Sequence, residues 1–185
     1  MSRFFSLYIL LFVFVSCSKP SELSREFNCE SVHLKSVTQI SDFNKNFNIS
    51  IPNTWKTKLY YDNFTSEIFA ADTIKQFSET YILSVSYNLG EVNFNDAFFK
   101  RNDSLATSKN LKIIQSKNIQ FQSKESYYYL LKGIKNDFTY HQFQLTVKLT
   151  DNSFFNSYID VYGEVAVEDR ICEAIAILDE IEFLQ

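Results

Sequence analysis

Glycine, proline, histidine and cysteine are all scarce in this chain of 185 residues, and each scarcity excludes a class of site. The three glycines cannot build a loop that cradles phosphate, and the sequence has no G-x-G-x-x-G, P-loop or G-x-S-x-G pattern. The two histidines, His33 and His141, stand far apart without carboxylates at ligand spacing, so we predict no metal and no cofactor. His141 shares the face of a predicted strand with apolar residues, which favours a hydrogen-bonded core histidine over a ligand.

Basic residues are outnumbered as well, with 18 Lys and Arg against 22 Asp and Glu. They form no cluster, which argues against nucleic acid and against an anionic lipid surface as electrostatic partners. The sequence also has one long apolar run, and that run stands at the beginning of the chain.

Residues 1–16 have the three parts of a secretory signal peptide. Arg3 supplies the positive start, an apolar segment runs from Phe4 to Val15, and the small residue Ser16 stands at the cleavage point. The apolar segment is about a dozen residues long, whereas crossing a bilayer as a helix takes roughly 20. We therefore expect these residues to be removed, which takes 16 from 185 and leaves 169 residues, enough for one domain with a real core.

The end of the leader, Phe14-Val15-Ser16-Cys17, resembles the bacterial lipobox. The resemblance implies that Cys17 carries a diacylglycerol thioether and becomes the mature N-terminus, with two or more acyl chains that give stable membrane attachment. The alternative is a plain secretion signal followed by a chance cysteine. We expect a lipid-anchored protein of the cell envelope, at the outer membrane and facing the periplasm, with an envelope protein as partner. Residues 17–27 are polar and Ser-rich, which predicts a flexible tether.

Two further cysteines, Cys29 and Cys172, form an even pair in an oxidising compartment and are predicted to form a disulfide. Because the loop between them is 143 residues long, the bond could stabilise the domain by roughly 5 kcal/mol in the chain-entropy model. The competing hypothesis makes Cys172 a thiolate nucleophile, although no histidine lies near it in sequence.

The hydrophobic pattern predicts an α+β domain over residues 28–185, in which two main helices pack on a mostly antiparallel sheet. A helix over residues 94–108 is predicted to begin at the N-cap Asn93, and a closing amphipathic helix begins at Glu168. Strands are predicted at 47–52, 58–62, 66–70, 81–89, 111–121, 126–134, 138–149 and 153–162.

Residues 47–56, FNISIPNTWK, resemble the opening of PsbP-like domains, which begin with a strand, a proline and a tryptophan. The order of the following elements is similar as well, and so is the closing Ile181-Glu182-Phe183. The resemblance covers residues 45–184 and implies a non-enzymatic binding or accessory module. It supplies no catalytic residues.

Four other hypotheses remain open from the residues alone. The many Phe and Tyr residues suggest a carrier that holds a small apolar ligand between the sheet and a helix. A hydrolase would combine Cys172 with His33 or His141. Thr73 and Ser104 each stand in an Asp-Ser/Thr-aliphatic triplet that resembles an envelope O-glycosylation signal. The run Tyr127 to Tyr129 predicts two rings on one sheet face and one on the other, either as core or as an exposed aromatic platform.

Overall fold

A computed structural model describes residues 20–30, 32 and 34–184. Within these residues the chain forms a seven-stranded sheet and a three-stranded sheet. All neighbouring strands are antiparallel. The predicted α+β class is therefore confirmed.

The helices are α1 (Glu22–Glu26), α2 (Asp96–Ser108) and α3 (Val167–Asp179), with a short 3-10 turn at Phe77–Glu79. The strands of the large sheet are β3 (Trp55–Tyr61), β4 (Thr65–Asp72), β5 (Tyr81–Leu89), β6 (Leu111–Phe121), β7 (Lys124–Lys135), β8 (Phe138–Thr150) and β9 (Ser153–Tyr162). Those of the small sheet are β1 (Val37–Ser41), β2 (Phe47–Pro52) and β10 (Glu182–Phe183). The strand order is β3-β4-β5-β9-β8-β7-β6 in the large sheet and β1-β2-β10 in the small one.

One face of the large sheet, here called the apolar face, packs against α3 and the small sheet. Strand alternation sends Phe143, Leu145 and Val147 of β8 to this side, where all three are fully buried. α3 contributes most of the predicted stripe to the same core, with Ile171, Ala174, Ile175 and Leu178, and Ile181 joins it just after the helix ends. This face therefore holds the main hydrophobic core of the domain.

The segment predicted as a flexible tether differs from that prediction over residues 21–27. Glu22–Glu26 form α1, and Leu23 is 1% exposed in the main core. The hydroxyls of Ser21 and Ser24 donate to Asp179 Oδ2 on α3 at 2.8 and 2.9 Å. The burial of this leucine and the serine bonds to a distant helix were not predicted from the sequence. The packed part of the chain therefore begins about seven residues before the predicted boundary at 28.

α2 begins two residues later than predicted. Asn95 is the N-cap, and its side chain accepts a hydrogen bond from the Phe98 N–H at 3.1 Å. The side chain of Asn93, the predicted cap, donates instead to Glu91. The closing helix begins at Val167, next to the predicted Glu168.

Candidate ligand-binding cavity

A cavity of about 420 Å³ lies between α2 and the second face of the large sheet, here called the polar face. α2 forms the roof of the cavity, strands β7, β8 and β9 form its floor, and the loop before α2 forms part of its rim. The volume lies within the range of small-molecule binding sites.

Aromatic packing holds the first turns of α2 above the sheet. The rings of Phe98 and Phe99 lie 5.5 and 5.0 Å from the ring of Tyr127 on β7. Further along, α2 turns the smaller residues Asn102 and Ala106 toward the sheet. These side chains do not fill the space beneath the helix, and the cavity is the result.

Amides and hydroxyls make up the floor of the cavity. The Tyr129 hydroxyl donates to Gln144 Oε1, and Gln144 Nε2 in turn donates to the Tyr158 hydroxyl at 3.2 Å. Beside them, the Thr146 hydroxyl donates to Asn156 Oδ1 at 2.8 Å. These bonds fix the orientation of the amides, so the floor is a preorganised polar surface.

A second hydrogen-bonded group closes one end of the floor. Gln142 Nε2 donates to Asp160 Oδ1 at 2.7 Å and to the Tyr140 hydroxyl at 2.9 Å, and that hydroxyl donates to the same carboxylate at 2.6 Å. Lys135 Nζ lies 4.5 Å from the centre of the Tyr140 ring and 3.7 Å from Asp160 Oδ2. The Asp160 carboxylate is therefore compensated by one cation and two neutral donors.

The tyrosines of the floor are neutral hydrogen-bonding groups. Burial raises the pKa of Tyr129 well above its ordinary value, and burial with the nearby Glu67 carboxylate raises the pKa of Tyr158. At neutral pH both hydroxyls therefore keep their protons. Charged side chains among the lining residues are Glu91, Arg101 and Lys109, all on exposed residues.

Asn102 is the polar residue of the roof that stands out. It is 7% exposed and lines the cavity, yet its Nδ2 has no hydrogen-bond partner. Leaving a buried donor unsatisfied costs about 1–3 kcal/mol. Asn102 lines the cavity, but its Nδ2 is itself buried, so a ligand oxygen could satisfy this donor only after the side chain turns toward the cavity.

The disulfide lies on the opposite side of the molecule from the cavity. Cys29 and Cys172 are joined there with their Cα atoms 5.3 Å apart, which ties the chain after α1 to α3. A thiolate nucleophile at Cys172 is therefore wrong for this oxidised form, because its sulfur is already bonded. The hydrolase hypothesis loses its nucleophile with it.

His141 is a buried residue of the apolar face, as its position in the strand pattern predicted. Its Nδ1 has no hydrogen-bond partner among the described residues, so the predicted hydrogen-bonded role is not borne out at this atom. Burial lowers its pKa, and the positive charge of Lys132 adds to the effect.

Cys17 and His33 lie outside the described residues. Thr73 is exposed after β4, and Ser104 is exposed on α2, where its hydroxyl donates to the Lys100 carbonyl at 2.9 Å.

The three consecutive tyrosines divide between the two faces as predicted. Tyr128 belongs to the main core, whereas Tyr127 and Tyr129 belong to the smaller cluster beneath α2. All three are buried, which agrees with core packing and excludes the exposed aromatic platform.

Of the cavity lining, only Tyr129 was considered as a binding residue, as part of the exposed aromatic platform, and none of the amides was. A usable signal was nevertheless present in β8, where Gln142, Gln144 and Thr146 alternate with apolar residues. Alternation of this kind is typical of a strand with one solvent face. Only the fold shows that α2 covers these amides.

Two further features of the described residues bear on other functions. No group of three or more His, Cys, Asp or Glu residues is placed to hold a metal ion in this part of the chain. Residues 20–30, 32 and 34–184 also contain no helix with the length and apolar character needed to cross a membrane.

The fold is PsbP-like. The chain is similar to the cyanobacterial PsbP protein (CyanoP) of Synechocystis sp. PCC 6803, with a TM-score of 0.61 and 11% identity over 84% of this chain and 96% of that one. A Bacteroides thetaiotaomicron protein matches with a TM-score of 0.55 and 11% identity over 81% of this chain, which spans 49% of that protein.

LpqN of Mycobacterium tuberculosis, a protein involved in cell envelope biogenesis, matches with a TM-score of 0.50 and 13% identity over 78% of this chain and 88% of that one. No protein family model and no curated protein matches the sequence. Identities this low make the shared fold the extent of the likeness.

Proposed function

We propose that this protein is a lipid-anchored, non-enzymatic binding module of the cell envelope, whose cavity beneath α2 holds a small, neutral, hydrogen-bonding ligand. The observation that carries the proposal is the cavity floored by oriented amides and hydroxyls, whose roof includes Asn102 with its unsatisfied Nδ2. In this proposal, acyl chains on Cys17 attach the protein to the membrane.

The envelope location has three independent supports. The leader ends in a lipobox-like segment, and the domain contains a disulfide of the kind that persists in oxidising compartments. The fold is also that of CyanoP and of LpqN, which takes part in envelope biogenesis.

The ligand follows from the chemistry of the walls. Amide and hydroxyl groups on the floor offer neutral donors and acceptors, and Asn102 adds an amide side chain to the roof. The floor groups already bond to one another, but a purely apolar ligand would leave their remaining donors and acceptors without partners, which disfavours binding by about 1–3 kcal/mol for each buried group left unpaired. A carrier of a small apolar ligand is therefore the second candidate, supported by the rings of Phe98 and Phe154 in the same cavity.

Native mass spectrometry of the full chain, extracted in mild detergent from its own envelope, tests the ligand. We expect an adduct that is released on unfolding and that is a small polar molecule. Asn102→Leu should lose the adduct, because it removes the donor at similar volume. Thr107→Leu, on the exposed side of the same helix, is the matched control and should keep it. A clean apo mass overturns the proposal, and a hydrocarbon adduct replaces it with the apolar carrier.

Mass spectrometry of the mature N-terminus tests the anchor separately. We expect acyl chains on Cys17 and a protein that sediments with membranes, whereas Cys17→Ser should move the chain to the soluble fraction. An unmodified thiol at Cys17 would contradict the anchor without touching the cavity.

A further inference from the structure

The β3 edge of the large sheet is open, whereas the opposite edge is covered. At β6, the Gln120 N–H donates to Glu22 of α1 at 2.9 Å, and Lys117 forms an ion pair with Glu26. At β3, every residue after Trp55 is exposed, and no described element packs along its outer side. An uncovered edge is a template for another strand.

The register of β3 shows which backbone groups face outward. The Asp62 N–H donates to the Thr65 carbonyl at 2.9 Å, and the pairing of β3 with β4 continues without a bulge. Because antiparallel strands alternate, the backbone groups of Thr57, Leu59 and Tyr61 point away from β4. This row of donors and acceptors is free to pair.

The side chains of β3 make this edge self-complementary. When two copies are aligned antiparallel about Leu59, Lys56 of each copy stands opposite Asp62 of the other, and Lys58 stands opposite Tyr60. Asp62 Oδ1 accepts from the backbone within its own turn, which leaves Oδ2 for the lysine. A two-fold axis at Lys58 would instead oppose like charges, which is unfavourable.

Apolar contact adds to the pairing. Leu59 and Tyr61 lie on the same face of β3 and are 48% and 60% exposed. The ring of Phe43, 53% exposed, stacks on Tyr61 at 3.6 Å. Pairing about Leu59 would bring the two patches into one continuous row, with Leu59 against Leu59 at its centre.

We propose that β3 pairs with β3 of a second copy of this chain, antiparallel and with a two-fold axis at Leu59. The two seven-stranded sheets then form one continuous sheet with both cavities on the same side. The two lysines do not prevent this pairing but select its register. Pairing over seven residues is smaller than a standard interface, so we expect a weak, concentration-dependent dimer. The proposal is independent of the ligand in the cavity.

Cysteine crosslinking of the purified full chain tests the register. Leu59→Cys should give a disulfide-linked dimer on mild oxidation, because residues paired with themselves across hydrogen-bonded strands have Cα atoms about 5.5 Å apart. Thr57→Cys should not link to itself, but it should link to Tyr61→Cys when the two variants are mixed. The unsubstituted chain, treated in parallel, reports any crosslink through its own cysteines. No Leu59→Cys dimer above that background, or equal linkage at Thr57→Cys alone, overturns the proposal.

Proline substitution tests the pairing without a crosslink. Leu59→Pro removes an outward N–H, so it should leave the sheet of the monomer intact while blocking the second copy. Analytical ultracentrifugation over a wide concentration range should show a monomer–dimer equilibrium for the natural chain and a monomer for this variant. A natural chain that stays monomeric throughout, or a dimer that Leu59→Pro leaves unchanged, contradicts the proposal. A dimer formed instead with another protein at this edge contradicts it as well.

Discussion

Phe143 and Gln144 are neighbours on β8, yet they face two different interiors. Phe143 is fully buried in the core beneath α3, and Gln144 is buried beneath α2 in a network of amides and tyrosines. Hydrocarbon burial stabilises a fold without further conditions, whereas buried amides need partners for every donor and acceptor. The apolar face therefore maintains the fold, whereas the polar face can be devoted to binding.

The largest expected difference between the faces is in the free energy of unfolding lost on substituting two adjacent residues of β9. Phe155 is fully buried on the apolar face, and its ring lies 5.4 Å from the rings of Phe47 and Phe183. Phe155→Ala should lower the free energy of unfolding by about 3–5 kcal/mol, because it leaves a cavity in the main core.

The matched change on the polar face is Asn156→Ala, which removes one hydrogen bond from Thr146 and should cost about 1 kcal/mol. Urea denaturation of both variants gives the two values. Equal costs would mean that the two faces contribute alike and that the comparison is wrong.

The second prediction concerns the disulfide on the apolar side. Replacing Cys29 and Cys172 together by serine should lower the free energy of unfolding by about 2–5 kcal/mol, because the unfolded chain regains the freedom of a long loop. Ligand binding by the folded fraction should not change, since the bond lies on the far side of the sheet from the cavity. Urea denaturation measures the first effect and native mass spectrometry the second. Loss of the adduct in a chain that is still folded would show that the faces are coupled.

Much of the apolar face could be predicted from the sequence, because its signal is periodic and local. Residues 81–89 alternate, and the stripe from Ile171 to Ile181 has helical spacing, so both elements were predicted close to their observed bounds. The order of the strands, with β9 between β5 and β8, depends on contacts between distant residues and has no local signal.

The polar face could not be predicted as a site, because its chemistry depends on what covers it. From the sequence alone, Gln144 and Tyr158 are expected to face solvent on two strands. In the structure, α2 lies above both of them. The packing of α1 was missed for the same reason, since Ser21 and Ser24 bond to Asp179 more than 150 positions away. Local polarity predicted exposure at each of these positions, and tertiary contacts determined the outcome.

The third prediction assigns a part of the acid sensitivity to the apolar face. The pKa of His141 is lowered from 6.5 by burial, so the unfolded chain takes up this proton at a higher pH than the folded chain. The stability that depends on neutral His141 is complete above pH 6.5 and is lost as the pH falls through 6.5 toward the lower folded pKa.

His141→Gln should therefore flatten this part of the stability profile, as measured by urea denaturation at a series of pH values. The tyrosines of the polar face have raised pKa values and contribute nothing in this window. A variant that keeps the full slope of the natural chain would place the acid-sensitive group elsewhere.

The smallest expected effect on stability, and the one with the opposite sign, is at Asn102. Asn102→Leu removes an unsatisfied buried donor and adds apolar contact on the side of the cavity where the Phe98 ring lies. The free energy of unfolding should therefore stay equal or rise by about 1 kcal/mol. Most substitutions of a buried residue destabilise a protein, so an unchanged or higher stability separates a residue kept for binding from one kept for folding. Urea denaturation of ligand-free protein measures the effect, with Thr107→Leu as the control on the same helix. A loss of stability comparable to that of Phe155→Ala would make Asn102 part of the structural core, and the division between the two faces would then fail at its most specific residue.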